Sequence, residues 1–325
     1  MGEVGRCTFD ESQQIFLGQR LFQYRPNPML LDWNYLAYVL QSPPVQNKLH
    51  GMSFGATVPH IKVGDAEHLE IPCPSIEEQR AIGTTLAAYD DLIETNRRRI
   101  ALLEEAARLL YREWFVNLRF PGHEQCKMTD GLPEGWSQKT ISEMASFLSR
   151  GITPQYDDTA PGIVINQKCI RDGRLDIALA RHQSKEVKED RLVQVGDVLI
   201  NSTGTGTLGR VAQVRASIAD CTVDTHVTIV RPIELESMGF FGVALLELEP
   251  VFSTMGVGST NQTELGRADI GALLFLVPAP EIRKEFHEQV WPLFEQIETL
   301  SQANLRLAQV RDELLPKLMS GEIQV

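Results

Sequence analysis

Two stretches of the chain repeat apolar residues in alternating steps of four and three. In the first, Ile82, Leu86, Tyr89, Ile93, Ile100, Leu103, Ala107, Leu110 and Trp114 keep the rhythm, and Asn96 interrupts it. In the second, Phe286, Val290, Leu293, Ile297, Leu300, Leu307, Leu314 and Leu318 keep it, interrupted by Asn304 and Arg311. A 3.5-residue period sustained over several heptads predicts a coiled-coil seam rather than an ordinary amphipathic face. Ser75, with Glu78 three residues on, predicts the N-cap of the first helix. Pro292 predicts a kink near the start of the second helix, and Pro316 a loosened end. A helix of about 40 residues reaches roughly 60 Å, so such a pair suits a ruler.

An antiparallel pair in full overlap requires facing residue numbers to share one sum. Pairing Ile82 with Leu318 then sets Leu86 against Leu314, Ile93 against Leu307, Ile100 against Leu300, Leu103 against Ile297, Leu110 against Val290 and Trp114 against Phe286. Ala107 falls opposite Leu293, and Tyr89 is placed to stack on Arg311. Asn96 and Asn304 share the same sum, which predicts a polar layer that penalises slipped registers.

Between the helices the pattern is strand-like, and it repeats. Gly5-Arg6 returns as Gly209-Arg210, QRLFQYRP resembles THVTIVRP, and Tyr35, Leu40 and Pro44-Val45 align with Phe241, Leu246 and Pro250-Val251. GAT at 55–57 resembles GST at 258–260, IPCPSI at 71–76 matches VPAPEI at 277–282, and Ile93-Glu94-Thr95 returns as Ile297-Glu298-Thr299. Matches that keep their order and an offset of 203 to 206 residues indicate an internal duplication. Residues 134–205 have no counterpart in the first copy and include the strand-like runs GIVINQKCI and VGDVLINS. The expectation is that the chain begins in mid-domain. Leu21, Phe22, Tyr35, Leu36 and Val39 then form one wall of a core whose other wall is absent, and exposed apolar surface invites a partner.

Composition narrows the functional classes. With 31 Lys and Arg against 43 Asp and Glu among 325 residues, the net charge of -12 excludes a protein that coats nucleic acid through net charge. The five cysteines form no CxxC pair, which counts against a zinc cage or a disulfide framework and suits a reducing compartment. The polar N-terminus lacks the core of a signal peptide, and the apolar stretches at 239–246 and 271–277 are too short to span a bilayer. A soluble, cytoplasmic protein without membrane contact is expected.

No cofactor motif emerges, and none is expected. The run Asn201-Ser202-Thr203-Gly204-Thr205-Gly206-Thr207 follows a strand but lacks the Lys-Ser/Thr of a P-loop, and GRVAQV after it reads as another strand rather than a helix. A turn with exposed hydroxyls fits better. The histidines show no metal spacing. Asp176, Glu186 and Lys188 could imitate the acids and lysine of a metal-dependent nuclease, against which SKEVKEDR reads as a charged, solvated helix face. Residues 168–191 carry seven Lys or Arg against five acids, a weak basic stretch.

Several runs carry a resemblance: LEIPCPSIEEQRAI (69–82), LPEGW (132–136), SRGITP (149–154), VGDVLINSTGTGTLGRV (195–211) and LMSGEI (318–323). Together with the duplication, they make the whole chain similar to the specificity subunit of type I restriction-modification enzymes. That resemblance implies an α+β fold, with β-rich target-recognition domains alternating with two long helices that pair as an antiparallel coiled coil. It implies a non-catalytic protein in which each domain reads one half of a bipartite site in double-stranded DNA. Methyltransferase subunits dock beside it, and a motor-nuclease subunit adds restriction. The expected organisation is a remnant of the first recognition domain at 1–74, a helix at 75–118, a linker at 119–133, a complete second domain at 134–280 and a helix at 281–325. A second copy or a separate fragment is expected to complete the first domain. Candidate DNA contacts are Arg150, Thr153, Lys168, Arg171, Arg174, Ser202, Thr203, Arg210, Thr260, Asn261 and Gln262. A structural coiled-coil adaptor that does not read DNA is the competing class, with the nuclease behind it.

Overall fold

The computed structural model describes residues 4–5, 12, 16, 18, 21–54, 60–257 and 263–325. Its helices are α1 (Trp33–Gln41), α2 (Pro43–Gly51), α3 (Val63–Glu67), α4 (Ile76–Tyr111), α5 (Ile141–Met144), α6 (Met238–Glu247), α7 (Glu249–Thr254), α8 (Arg267–Ala272) and α9 (Pro280–Ser320). Its longer strands are β1 (Ser137–Thr140), β2 (Ala145–Arg150), β3 (Gly162–Ile165), β4 (Ile170–Arg171), β5 (Arg174–Leu175), β6 (Arg181–Gln183), β7 (Val198–Asn201), β8 (Val211–Gln213), β9 (Cys221–Val223), β10 (Val227–Pro232) and β11 (Leu274–Val277). The chain divides into two compact units, 1–99 with 300–325, and 100–299.

In the first unit, α4 opens on a capping box. The Ser75 N–H and hydroxyl both reach Glu78 Oε2, and the Ser75 hydroxyl accepts the Glu78 N–H. Tyr35, Leu36, Tyr38, Val39 and Leu40 of α1 pack with Val45 and Leu49 of α2 onto Ile82, Leu86 and Ala87 of α4 and Leu318 of α9. Tyr35, Leu36 and Val39 therefore do have a second wall, which the long helices supply. Leu21 and Phe22 do not, and they are 64% and 44% exposed. Gly83 is required where α1 starts, because a Cβ there would lie 2.9 Å from the Tyr35 nitrogen and from Asp32 Oδ1. Gln79, fully buried beside it, accepts the Asp32 N–H and donates to the Leu30 and Pro74 carbonyls.

The helices run antiparallel in this unit, and the Asn96 amide donates to Asn304 Oδ1 at 3.0 Å. Arg311, expected over Tyr89, instead donates to Asp90 Oδ1 at 2.5 Å, and the Tyr38 hydroxyl holds the other oxygen of that carboxylate. A carboxylate offers a guanidinium a stronger, directional partner than a ring face. Pro292 sits inside the continuous helix α9 without ending it, and α9 runs past Pro316 to Ser320.

The second unit is built on a four-stranded antiparallel sheet, in the order β8-β7-β10-β2. A three-stranded sheet, β9-β3-β6, lies with it, and Leu199, Ala212, Cys221, Val223, Val227 and Ile229 belong to one core. β11 pairs with β1, and β4 pairs with β5 in a hairpin. Every residue of β7 is buried, and Val198-Leu199-Ile200 reads as continuous apolar sequence rather than an alternation. SKEVKEDR is not a helix: apart from a short turn at Glu189–Arg191 it is extended and largely exposed. The Gln183 side chain fixes this, accepting the Lys185 N–H and donating to the Lys185 carbonyl.

After Tyr111 the first long helix widens into a π turn, Arg112–Val116. The wider turn brings two adjacent residues inward, Trp114 and Phe115, where the heptad reading expected only the first. Phe115 lies 4.9 Å from Phe286, 5.0 Å from Phe240 and 5.8 Å from Trp136 by ring centroids, and Phe120 lies 4.9 Å from Trp136. Trp114 meets Phe286 at 5.6 Å. No helix among the described residues is long and apolar enough to cross a membrane.

The duplication is visible in the helices and in one pair of bridges, Phe54 with His60 and Val257 with Glu264. Shifted by 206 residues, α1 and α2 coincide with α6 and α7. The same shift places β10 on Leu21–Pro26 and the end of β11 on Ile71, yet among the described residues neither segment of the first unit is in a sheet.

Candidate nucleic-acid interface

The four-stranded sheet gathers candidate residues at one end. Val227 pairs with Asn201 and Thr228 with Arg150, so the end of β2, the end of β7 and the start of β10 share one edge. The loops leaving them carry Gly151 to Thr153, Ser202 to Arg210, and Asp224 to His226. Gly151 is essential to that crowding, since a Cβ there would stand 1.9 Å from the Val223 carbonyl oxygen.

Each candidate then has a definite place. Ser202 is fully buried, and its hydroxyl shares a 2.6 Å hydrogen bond with Thr228, which ties two strands together. The Thr203 hydroxyl meets His226 Nδ1 at 2.7 Å and donates to Gln167 Oε1 at 3.4 Å. Gln167 belongs to a short turn whose exposed next residue is Lys168. Arg210 reaches back to the Gly206 carbonyl across the glycine-rich turn, where Gly204, Gly206 and Gly209 all have positive φ. Arg150 donates to the Leu265 carbonyl at 2.9 Å and is ion-paired with Glu264. The Thr153 carbonyl accepts from Lys185 Nζ. Arg171 and Arg174 face each other across the β4–β5 hairpin, whose Asp172-Gly173 turn has positive φ at both residues. Arg174 engages Glu104 of α4. Thr260, Asn261 and Gln262, and the whole of GAT 55–57 and GST 258–260, lie outside the described residues.

Residues not singled out from the sequence complete this end. His226 and Gln167 hold Thr203, Arg191 donates to the Arg150 carbonyl, and Arg181 stacks 3.6 Å over the exposed Tyr156 ring. The placement of His226 at the start of the strand-like run THVTIVRP was a usable signal. Tyr156 and Arg181, far apart in sequence, gave none. Burial pushes the Asp224 carboxyl up, opposed by the His226 N–H and its charge. The arrangement offers hydroxyl, imidazole, amide and cationic groups on one rim, which suits contacts to phosphates and base edges. Among the described residues, no three His, Cys, Asp or Glu side chains group as metal ligands. Asp176 spends its carboxylate on the Ala178 N–H.

Known proteins share this architecture. Residues 2–105 match the family described as the type I restriction modification DNA specificity domain. The MjaIX specificity subunit of Methanocaldococcus jannaschii, from a type I restriction enzyme, is 28% identical over 309 residues, covering 90% of this chain and 69% of its own. The HindI specificity subunit of Haemophilus influenzae is 21% identical, covering 91% of this chain and 78% of its own. Over most of its length, the chain is similar to specificity subunits of type I restriction enzymes. The crystal structure of the S subunit from M. genitalium shows the same fold, with a TM-score of 0.60 at 19% identity, over 90% of this chain and 74% of that one. The α+β architecture with its antiparallel helix pair is the fold expected from sequence.

Proposed function

We propose that the chain is the non-catalytic specificity subunit of a type I restriction-modification complex, reading one half-site of double-stranded DNA through the sheet end of its second unit. The observation that carries this is the convergence of Lys168, Thr203, Arg210 and His226 at one rim, in turns and loops at the ends of paired strands. In this reading, residues 134–280 are the complete recognition domain and residues 1–74 correspond to the C-terminal part of another. The helices space the half-sites and dock methyltransferase subunits, a motor-nuclease subunit adds restriction, and the complex works in the cytoplasm. A second copy or a separate fragment supplies strands to Leu21–Pro26 and to the segment ending at Ile71. The unpaired counterparts of β10 and β11 support that assignment.

The test is duplex binding by the complex across a salt series. Lys168→Ala and Arg210→Ala should each weaken binding and lower the salt slope by about 0.9 per lost phosphate contact. Indifference of the complex to duplex DNA at every salt concentration would leave only the adaptor reading.

A further inference from the structure

The hairpin that joins β4 to β5 is turned towards the helices. Arg174 Nε and Nη2 reach Glu104 Oε1 and Oε2, both at 2.5 Å, a planar two-bond fork. The Glu104 side chain is 15% exposed, so most of the fork's acceptor is withdrawn from solvent. At the hairpin tip, a Cβ on Gly173 would come within 3.3 Å of Leu246 on α6 and 3.8 Å of Arg108 on α4, which marks the tip as seated. A second cation reinforces it. The Arg215 guanidinium, just beyond β8, lies 3.8 Å over the Phe294 ring of α9, and its Nε is buried with no hydrogen-bond partner. Glu104 and Glu298 both attract Arg215, Arg174 and Arg108 repel it, and burial holds the guanidinium down to about 10. A cation kept there by two carboxylates and a ring face is costly to expose on one side only.

We propose that Arg174 and Arg215 are positioning residues: with Glu104, Glu298 and Phe294 they clip the recognition domain to the helix pair at one angle, and Arg174 does not contact DNA. This rests on the DNA-reading function proposed above. Its consequence is that the reading rim is aimed by a charge cluster remote from the rim itself. Arg174 then belongs to the helix side of the domain, although it and its hairpin partner Arg171 both keep exposed surface.

Charge reversal separates a clip from a phosphate contact. In the full chain, Arg174→Glu should accelerate amide exchange in Ile170–Leu175 at least tenfold, and Glu104→Arg combined with it should bring the rates back to within about twofold of the parent. Binding of a generic duplex across a salt series should show the parental slope in the double variant. A phosphate contact predicts the reverse, because glutamate at 174 repels DNA whatever stands at 104, and the slope then falls by about 0.9. Failure of the double variant to restore exchange, or a reduced slope in it, overturns the proposal. Arg174→Lys supplies an independent check that preserves charge: a lysine serves a phosphate but not a two-bond fork. Faster hairpin exchange with an unchanged salt slope is expected, and parental exchange would overturn the clip. If the complex built on the parent chain binds no duplex, the DNA-reading function fails while the exchange measurements still decide the clip.

Discussion

The Asn96–Asn304 bond gives the helix pair a sharp energetic test. Asn96→Leu removes the donor and strands Asn304 Oδ1, which is half-buried. A stranded polar group costs about 1–3 kcal/mol. Partial burial of the new leucine returns about 1 kcal/mol, less than a fully buried side chain would. The single variant should therefore come out neutral to about 2 kcal/mol less stable, and Asn304→Leu should behave alike. Replacing both asparagines removes the stranded group and lets two leucines pack, so the double variant should match or exceed the parent. The interaction energy from the cycle is then about 2 kcal/mol, well beyond the additivity expected of independent sites. Native-state hydrogen exchange at residues 93–99 and 300–307 measures it locally, with about 1.4 kcal/mol per tenfold change in rate. That choice avoids assuming a single two-state transition in a chain of two units. Additive effects, or a double variant weaker than either single, would refute the view that the two amides act as one buried layer.

Two further outcomes are expected. The His287 ring accepts the Gly239 N–H at 3.2 Å, and burial holds its pKa below the usual range, against the pull of Glu288, Glu236 and Glu295. The unfolded chain then takes up the proton first, so this contribution is complete above about pH 6.5 and is lost as pH falls through the folded value. Melting temperatures between pH 7.5 and 5 should fall more steeply for the parent than for His287→Gln, and parallel curves would exclude the assignment. Amides of Leu21–Tyr24 and of Glu70–Ile71 should exchange far faster in the isolated chain than those of Val227–Val230 and Leu276–Val277, their counterparts in paired strands. Equal protection would contradict the view that these segments await a strand partner.

The helices were legible because a heptad repeat is local and its partner is another heptad repeat. Pairing Ile82 with Leu318 needed nothing but the period, and the two residues share one core. Legibility failed wherever a single side chain chose between partners that sequence does not rank. Arg311 prefers Asp90 to Tyr89, and Phe115 turns inward because a π turn shifts the phase of the helix. The rim was half legible. Thr203 and Arg210 lie in a run whose glycines advertise a turn, whereas Gln167 and Tyr156 enter through tertiary contacts, a non-local property. Ser202 illustrates the limit of residue type as evidence, because its hydroxyl is spent on Thr228 inside the sheet.

The aromatic knot at the end of α4 changes what the segment after it can do. Residues 119–133 look like a tether in sequence, rich in turn formers between two structured regions. Yet Phe120 and Trp136, near its two ends, pack ring against ring at a tilt, and Trp136 also lies against Phe115. The intervening residues therefore form a loop whose mouth is closed by ring contacts, and lengthening that loop leaves the separation of its ends unchanged. Any residue added within α4 above the knot, by contrast, rotates every later side chain by about 100° and lengthens the shaft by about 1.5 Å. Between these neighbouring stretches, evolution can change the length of one at little cost to geometry, while the other behaves as a graduated scale.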